Sequence, residues 1–189
     1  MRAEPTMPEA RRRAVIVIDV QRGLCEGSCQ TFDSAAVIDR INLVTARARA
    51  AGTLVVMVQH ESPSGLLARG SRSWQLAPAL VVAASDTVLA KTAADAFHRT
   101  ELDSILKQNQ VTELVIGGMQ SDFCVDTTTR RALALGYPVV LVADGHTTLD
   151  NRTLSARQII DHHNETLASI SSFGPRVRLE AAQAMAFPS

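Results

Sequence analysis

Four short runs of aliphatic, largely β-branched residues decide what this chain can become: residues 14–20, 54–58, 114–116 and 138–143. Each is continuous in apolar character rather than alternating. Such runs suit strands covered on both faces, the condition found in parallel sheets. Stretches of helical length separate them, so the chain reads as strand and helix in repetition. That order predicts a doubly wound, three-layer α/β domain with helices on both faces of a parallel sheet.

The third run leads into the most informative stretch, residues 113–136. It passes through Gly117-Gly118 and Met-Gln-Ser-Asp-Phe to Cys124. Helical character starts at about Phe123 and stops at Gly136, a good residue to follow a helix. Val125, Thr129, Ala132, Leu133 and Leu135 supply its apolar stripe. Cys124 is therefore expected just inside a helix start, at the carboxyl end of a strand, where α/β sheets bind ligands. The unpaired N–H groups and positive potential there are expected to lower the thiol pKa and to hold an oxyanion. A buried, inert cysteine is the alternative, and the partners upstream must decide.

Those partners sit at equivalent places. The first strand, residues 14–21, ends in Asp19, and a carboxylate there is costly unless it faces a polar site. A helix over residues 34–51 follows, started by Ser34, with Val37, Ile41, Val44 and Ala48 inward and Gly52 ending it. His60 follows the second strand. A shorter strand, residues 86–91, ends in Lys91. The long irregular loop 61–79 holds the only tryptophan, Trp74, and loops of that length tend to be functional. A helix starts at Thr100-Glu-Leu-Asp103, a relative of the capping box, and frays near Asn109. The fourth run leads into Asp144. Another helix starts at Thr153 or Ser155 and reaches about Asn164. A last strand is expected over residues 166–170 and a short apolar helix near residues 179–185.

Composition excludes several classes. The 189 residues are 46% hydrophobic and 20% charged, enough for one sizeable core. A flexible tail is expected over residues 1–12 and a single domain over residues 13–189. The formal net charge of zero gives no electrostatic basis for a nucleic-acid or membrane partner. No apolar run approaches the ~20 residues of a membrane span. Three cysteines make no disulfide framework, so reduced thiols and a cytoplasmic setting are expected. Cys25 and Cys29 read as loop thiols, because no second pair stands at zinc-site spacing. His162 and His163 point to different helix faces and make a poor metal pair. No metal is expected, and Gly117-Gly118 lacks the three spaced glycines of a dinucleotide site.

Asp19, Lys91 and Cys124 thus each lie at or just past the carboxyl end of a different strand. A carboxylate, an ammonium and a thiol at one cleft make a plausible nucleophilic site. With Val-Ile-Asp19-Val-Gln21, Lys91 followed by Ala96-Phe97 and Thr100-Glu-Leu102, Val115 through Cys124-Val-Asp-Thr-Thr, and Gly136-Tyr-Pro through Asp144, the sequence resembles the isochorismatase-like cysteine hydrolases. That superfamily includes nicotinamidases and N-carbamoylsarcosine amidohydrolases. The resemblance covers residues 13–172. It implies a six-stranded sheet, Cys124 as nucleophile, Asp19 as general base and Lys91 as the group that stabilises charge. It also implies a cis peptide at Met119–Gln120 and an oxyanion hole from the Gln120 and Cys124 N–H groups.

The implied reaction is hydrolysis of a small-molecule amide or ureido C–N bond through a thioester, with no cofactor, in a homodimer or homotetramer. The Asp-x-His-x-x-His cluster of metal-assisted nicotinamidases is absent between Asp19 and His60. The vinyl-ether-cleaving isochorismatases lack the cysteine, so Cys124 favours amide chemistry. The segment 71–76 and His162-His163-Asn164 resemble the subset that contains streptothricin hydrolases. His60, Trp74, Phe97, Gln120 and Phe123 are the expected pocket wall. A non-amide isochorismatase, a silent protein on this fold, or a redox sensor using Cys25, Cys29 and Cys124 are the other classes.

Overall fold

In a computed structural model describing residues 11–187, six strands form one sheet: β1 (Arg13–Ile18), β2 (Leu54–His60), β3 (Thr87–Lys91), β4 (Glu113–Met119), β5 (Val139–Thr147) and β6 (Val177–Glu180). Their order is β3-β2-β1-β4-β5-β6 and every neighbouring pair is parallel. Residue alternation sorts their side chains into two cores. Ala14, Ile16 and Ile18 of β1 join Val56, Val58, Leu114 and Ile116 under α3 (Leu102–Gln108), α4 (Asp126–Ala134) and α5 (Ala156–Ser169). Val15, Val17, Val55, Met57 and Val115 face the other way, against α2 (Ser34–Ala50). A one-turn helix, α1 (Arg22–Cys25), follows β1.

The inner stripe of α2 is the expected one, Val37, Ile41, Val44 and Ala48, joined by Ile38. Ser34 does not cap it; Asp33 holds that position at φ 51 without a side-chain cap bond. Ser155 starts α5 with a reciprocal capping box to Gln158.

Two expectations near the C-terminus are corrected. Residues 166–169 belong to α5 rather than to a strand, because Leu167 extends the buried stripe of Ile159 and Ile160. Residues 177–180 are the last strand rather than the start of a helix. Only Val177 in it is buried, so an edge strand with one apolar anchor reads weakly in sequence. The segment after β6 is a turn, tied down by Arg47 Nη1 donating to the carbonyls of Ala182, Gln183 and Met185.

The tail expected over residues 1–12 falls on residues outside the described ones, except Arg11 and Arg12. These two are anchored: Arg11 pairs with the buried Glu113 and Arg12 Nη1 donates to Gln110 Oε1 at 2.6 Å. Arg13 Nε reaches the same Glu113 at 2.7 Å. No helix among the described residues is long and apolar enough to cross a membrane.

Candidate active site

The sheet order reverses direction between β1 and β4, and the carboxyl ends of those strands frame the crevice where such sheets bind ligands. Asp19 follows β1 there with a left-handed backbone, φ 51, its N–H donating to Val58 O at 2.9 Å. An aspartate tolerates that conformation better than most residues. β4 passes close beside it at Gly118, φ +124, where an added Cβ would lie 2.1 Å from Ile18 O. No other residue fits that approach.

Lys91 ends β3, two strands from β1, and its side chain reaches back past β2. Its Nζ lies 2.7 Å from Asp19 Oδ2, 3.1 Å from Cys124 Sγ, 3.1 Å from His60 Nδ1 and 3.0 Å from Ala93 O. Asp19 and Lys91 are each 1% exposed, so the pair is fully desolvated. The amine that ends β3 therefore touches both the acid after β1 and the thiol after β4. Asp19, His60 and Cys124 are also the one group with metal-ligand spacing among the described residues, their ligand atoms within 4.8 Å of one another. The Lys91 ammonium bonds all three side chains and puts the chain's own cation between them.

Cys124 lies just inside the start of a helical segment, as expected: a π-type turn, Ser121–Val125, runs directly into α4. Its electrostatics differ from expectation. Burial, and then the Asp19 charge, push the Cys124 thiol up to about 12, against the pull of Lys91. A helix terminus acts within one turn and is worth at most ~2 kcal/mol; desolvation beside a carboxylate outweighs it. Asp19 Oδ1 has no hydrogen-bond partner among the described residues, and the Cys124 sulfur lies within 4.8 Å of the Asp19 carboxylate. Burial raises the Asp19 pKa above its ordinary value while Lys91 opposes the rise. Burial, reinforced by the Lys91 charge, lowers that of His60, whose neutral imidazole can accept from Lys91 at Nδ1.

The pocket-wall residues divide. His60 touches Lys91, as above. Phe123 is 56% exposed beside Cys124, and Gln120 is half-buried after a cis Met119–Gln120 peptide. Trp74 is held by its backbone: its carbonyl accepts from Gln21 Nε2 at 2.7 Å and Gln59 Nε2 at 2.8 Å. Phe97 is a correction. It is buried in the core and stacks on Tyr137 at 6.3 Å between centroids, because residues 96–97 pack inward under α3 and α4.

Sequence reasoning missed Gln21. Its buried carboxamide accepts from His60 N–H at 3.0 Å and donates to His60 O at 2.9 Å, besides holding Trp74. Its place two residues after Asp19 was the only available signal. Cys25 is buried with its thiol pushed up to about 12, chiefly by desolvation, and Cys29 is half-buried; no disulfide joins them.

The comparisons with known proteins agree with this geometry. The isochorismatase domain model matches residues 13–170. A streptothricin hydrolase of Streptomyces noursei is 38% identical over 139 residues, 73% of this chain and 50% of that protein, so the chain spans half the length of that relative. The ureidoacrylate amidohydrolase RutB of Klebsiella pneumoniae is 29% identical, covering 74% of this chain and 77% of that one. The crystal structure of an isochorismatase family protein superposes with a TM-score of 0.82 at 37% identity, covering 90% of this chain and 98% of that one. With the parallel sheet, its switch point and a family match over most of its length, the chain belongs to the isochorismatase family.

Proposed function

We propose that this protein is a cysteine-dependent hydrolase of a small-molecule amide or ureido C–N bond. The observation that carries the reading is the contact of Lys91 Nζ with both Asp19 and Cys124 in a desolvated site. Two relatives named as a streptothricin hydrolase and a ureidoacrylate amidohydrolase support C–N chemistry.

The chemistry follows from the protonation states. Cys124 Sγ attacks the substrate carbonyl carbon as its proton passes to Asp19, so free thiolate never has to accumulate. Lys91 keeps the carboxylate paired and offsets the charge that builds on sulfur. The Gln120 and Cys124 N–H groups take the oxyanion. The C–N bond breaks as Asp19 returns the proton to the leaving nitrogen, leaving a thioester. Water then gives a proton to Asp19 and its oxygen to the acyl carbon; the proton goes back to sulfur as the C–S bond breaks. His60, Trp74, Gln120 and Phe123 form the substrate wall in this reading. The protein works in the cytoplasm, where thiols stay reduced, as a homodimer or homotetramer.

The test is an ammonia-release screen over small amides and ureido acids with Cys124→Ala as control. Release by wild type alone supports the reading. Release that survives in Cys124→Ala overturns it.

A further inference from the structure

The turn that carries Cys124 is gripped from behind by a chain of buried and half-buried hydrogen bonds. Ser121 Oγ lies 2.8 Å from His146 Nδ1, His146 Nε2 lies 3.0 Å from Asn164 Oδ1, and Asn164 Nδ2 donates to Ala143 O at 2.9 Å. Ser121 and His146 are 0% and 1% exposed. The direction of every bond follows from its far end. The Asn164 amide nitrogen is committed to a carbonyl, so its oxygen faces His146 and must accept. His146 Nε2 therefore carries the hydrogen, Nδ1 is a bare acceptor, and the Ser121 hydroxyl donates to it. Burial favours this neutral imidazole, pushing the His146 pKa below its ordinary value.

The fold goes out of its way to place His146 there. β4 and β5 pair regularly from Leu114↔Val139 to Ile116↔Leu141, then jump to Gly118↔His146. The extra residues of β5 bulge out, and an added Cβ at Gly145 would lie 2.5 Å from Val142 Cγ1. A bulge of this kind re-aims a side chain beside a site. Two residues on, Thr148 Oγ1 donates to Asp122 Oδ1 at 2.5 Å, so consecutive residues of the turn are held from the end of β5.

We infer that Ser121, His146 and Asn164 are positioning residues: a one-directional relay from α5 that sets the Cys124 turn, and hence the thiol, against Lys91 and Asp19. The proposal deepens the hydrolase reading and rests on it for its catalytic meaning, but its test needs no substrate. The first readout is the His146 tautomer, by long-range proton–nitrogen NMR correlation on the full chain at neutral pH. The expected result is hydrogen on Nε2 and none on Nδ1. The second is the second-order rate of Cys124 alkylation by iodoacetamide. Ser121→Ala and Asn164→Leu are expected to slow it at least fivefold, because the thiol leaves the groups that deprotonate it. Asn164→Asp keeps the acceptor and is expected to retain most of the rate. Leu167→Val, an apolar change on the same helix, controls for stability and is expected to lower the melting temperature with the rate unchanged.

A His146 protonated on Nδ1, or Asn164→Leu slowing alkylation no more than Leu167→Val, would overturn the proposal. If Ser121→Ala does not fold, Asn164→Leu and Asn164→Asp decide alone. Amide activity does not enter these readouts, so a failed ammonia screen leaves them intact.

Discussion

Lys91 Nζ stands 2.7 Å from Asp19 Oδ2 in a pair that water does not reach, although the two residues end strands that are not neighbours. Removing one partner leaves the other as an uncompensated buried charge. Lys91→Met is expected to destabilise the protein by about 3–5 kcal/mol. Adding Asp19→Asn to it is expected to recover most of that loss. Urea denaturation of the two single variants and the double variant closes the cycle; losses that simply add would deny the coupling.

In the proposed mechanism, the acid side of the activity profile reports Asp19. Its pKa lies above the ordinary aspartate value of 3.8 because of burial, so the base is lost at a higher pH than an exposed aspartate would be. kcat/KM on a substrate from the screen, or the Cys124 alkylation rate, should fall with a midpoint above 3.8. The sign for stability is the reverse of the usual aspartate: a raised folded pKa gives a contribution present below 3.8 and lost as pH rises through the folded value. A rate midpoint at or below 3.8 would mean that Lys91 outweighs burial.

Cys124 should show no thiolate at neutral pH. With its thiol pushed up to about 12, ultraviolet titration of wild type against Cys124→Ala should give no difference between pH ~6 and ~9. A thiolate signal at pH ~7 would restore the helix-terminus expectation.

Glu113 tests the N-terminal anchor. Burial alone would raise its pKa, but Arg11 and Arg13 outweigh that and leave it below the ordinary 4.5. Its contribution is present above 4.5 and fades as pH falls through the folded value. Glu113→Gln should cost about 1–3 kcal/mol at neutral pH. The gap from wild type should close in acid; a gap that stays constant with pH would remove the charge from the account.

Gly118→Ala places a methyl group 2.1 Å from Ile18 O, backbone against backbone, so expression as folded protein should fail. Gly136→Ala, also at positive φ but with open space around it, should cost only about 1 kcal/mol. Soluble yield of Gly118→Ala beside a thermal melt of Gly136→Ala separates the steric effect from the conformational one.

The sequence carried most of the architecture because its strands are buried on both faces. Continuous runs such as residues 14–20 have no competing reading, and they place Asp19 and Cys124 at strand ends without further information. Elements with one apolar anchor were not legible: β6 buries only Val177, and Leu167 fits a strand as well as a helix by local pattern. Phe97 shows the same limit for a side chain. An aromatic in a polar stretch looks like a pocket wall, and only the packing of Tyr137 against it identifies core.

Which residues end strands, and therefore which groups can share one rim of the sheet, is a local property of the chain, and it was fixed by hydrophobic pattern alone. Which of them touch, and in what ionisation state, depends on strand order and burial. Neither is local: the order puts β2 between Lys91 and Asp19, and the depth of the crevice pushes the Cys124 pKa up where its position along the chain suggested a lowered one. The hydrogen bonds behind the Cys124 turn belong to the same class, since a bulge in β5 brings His146 to Ser121.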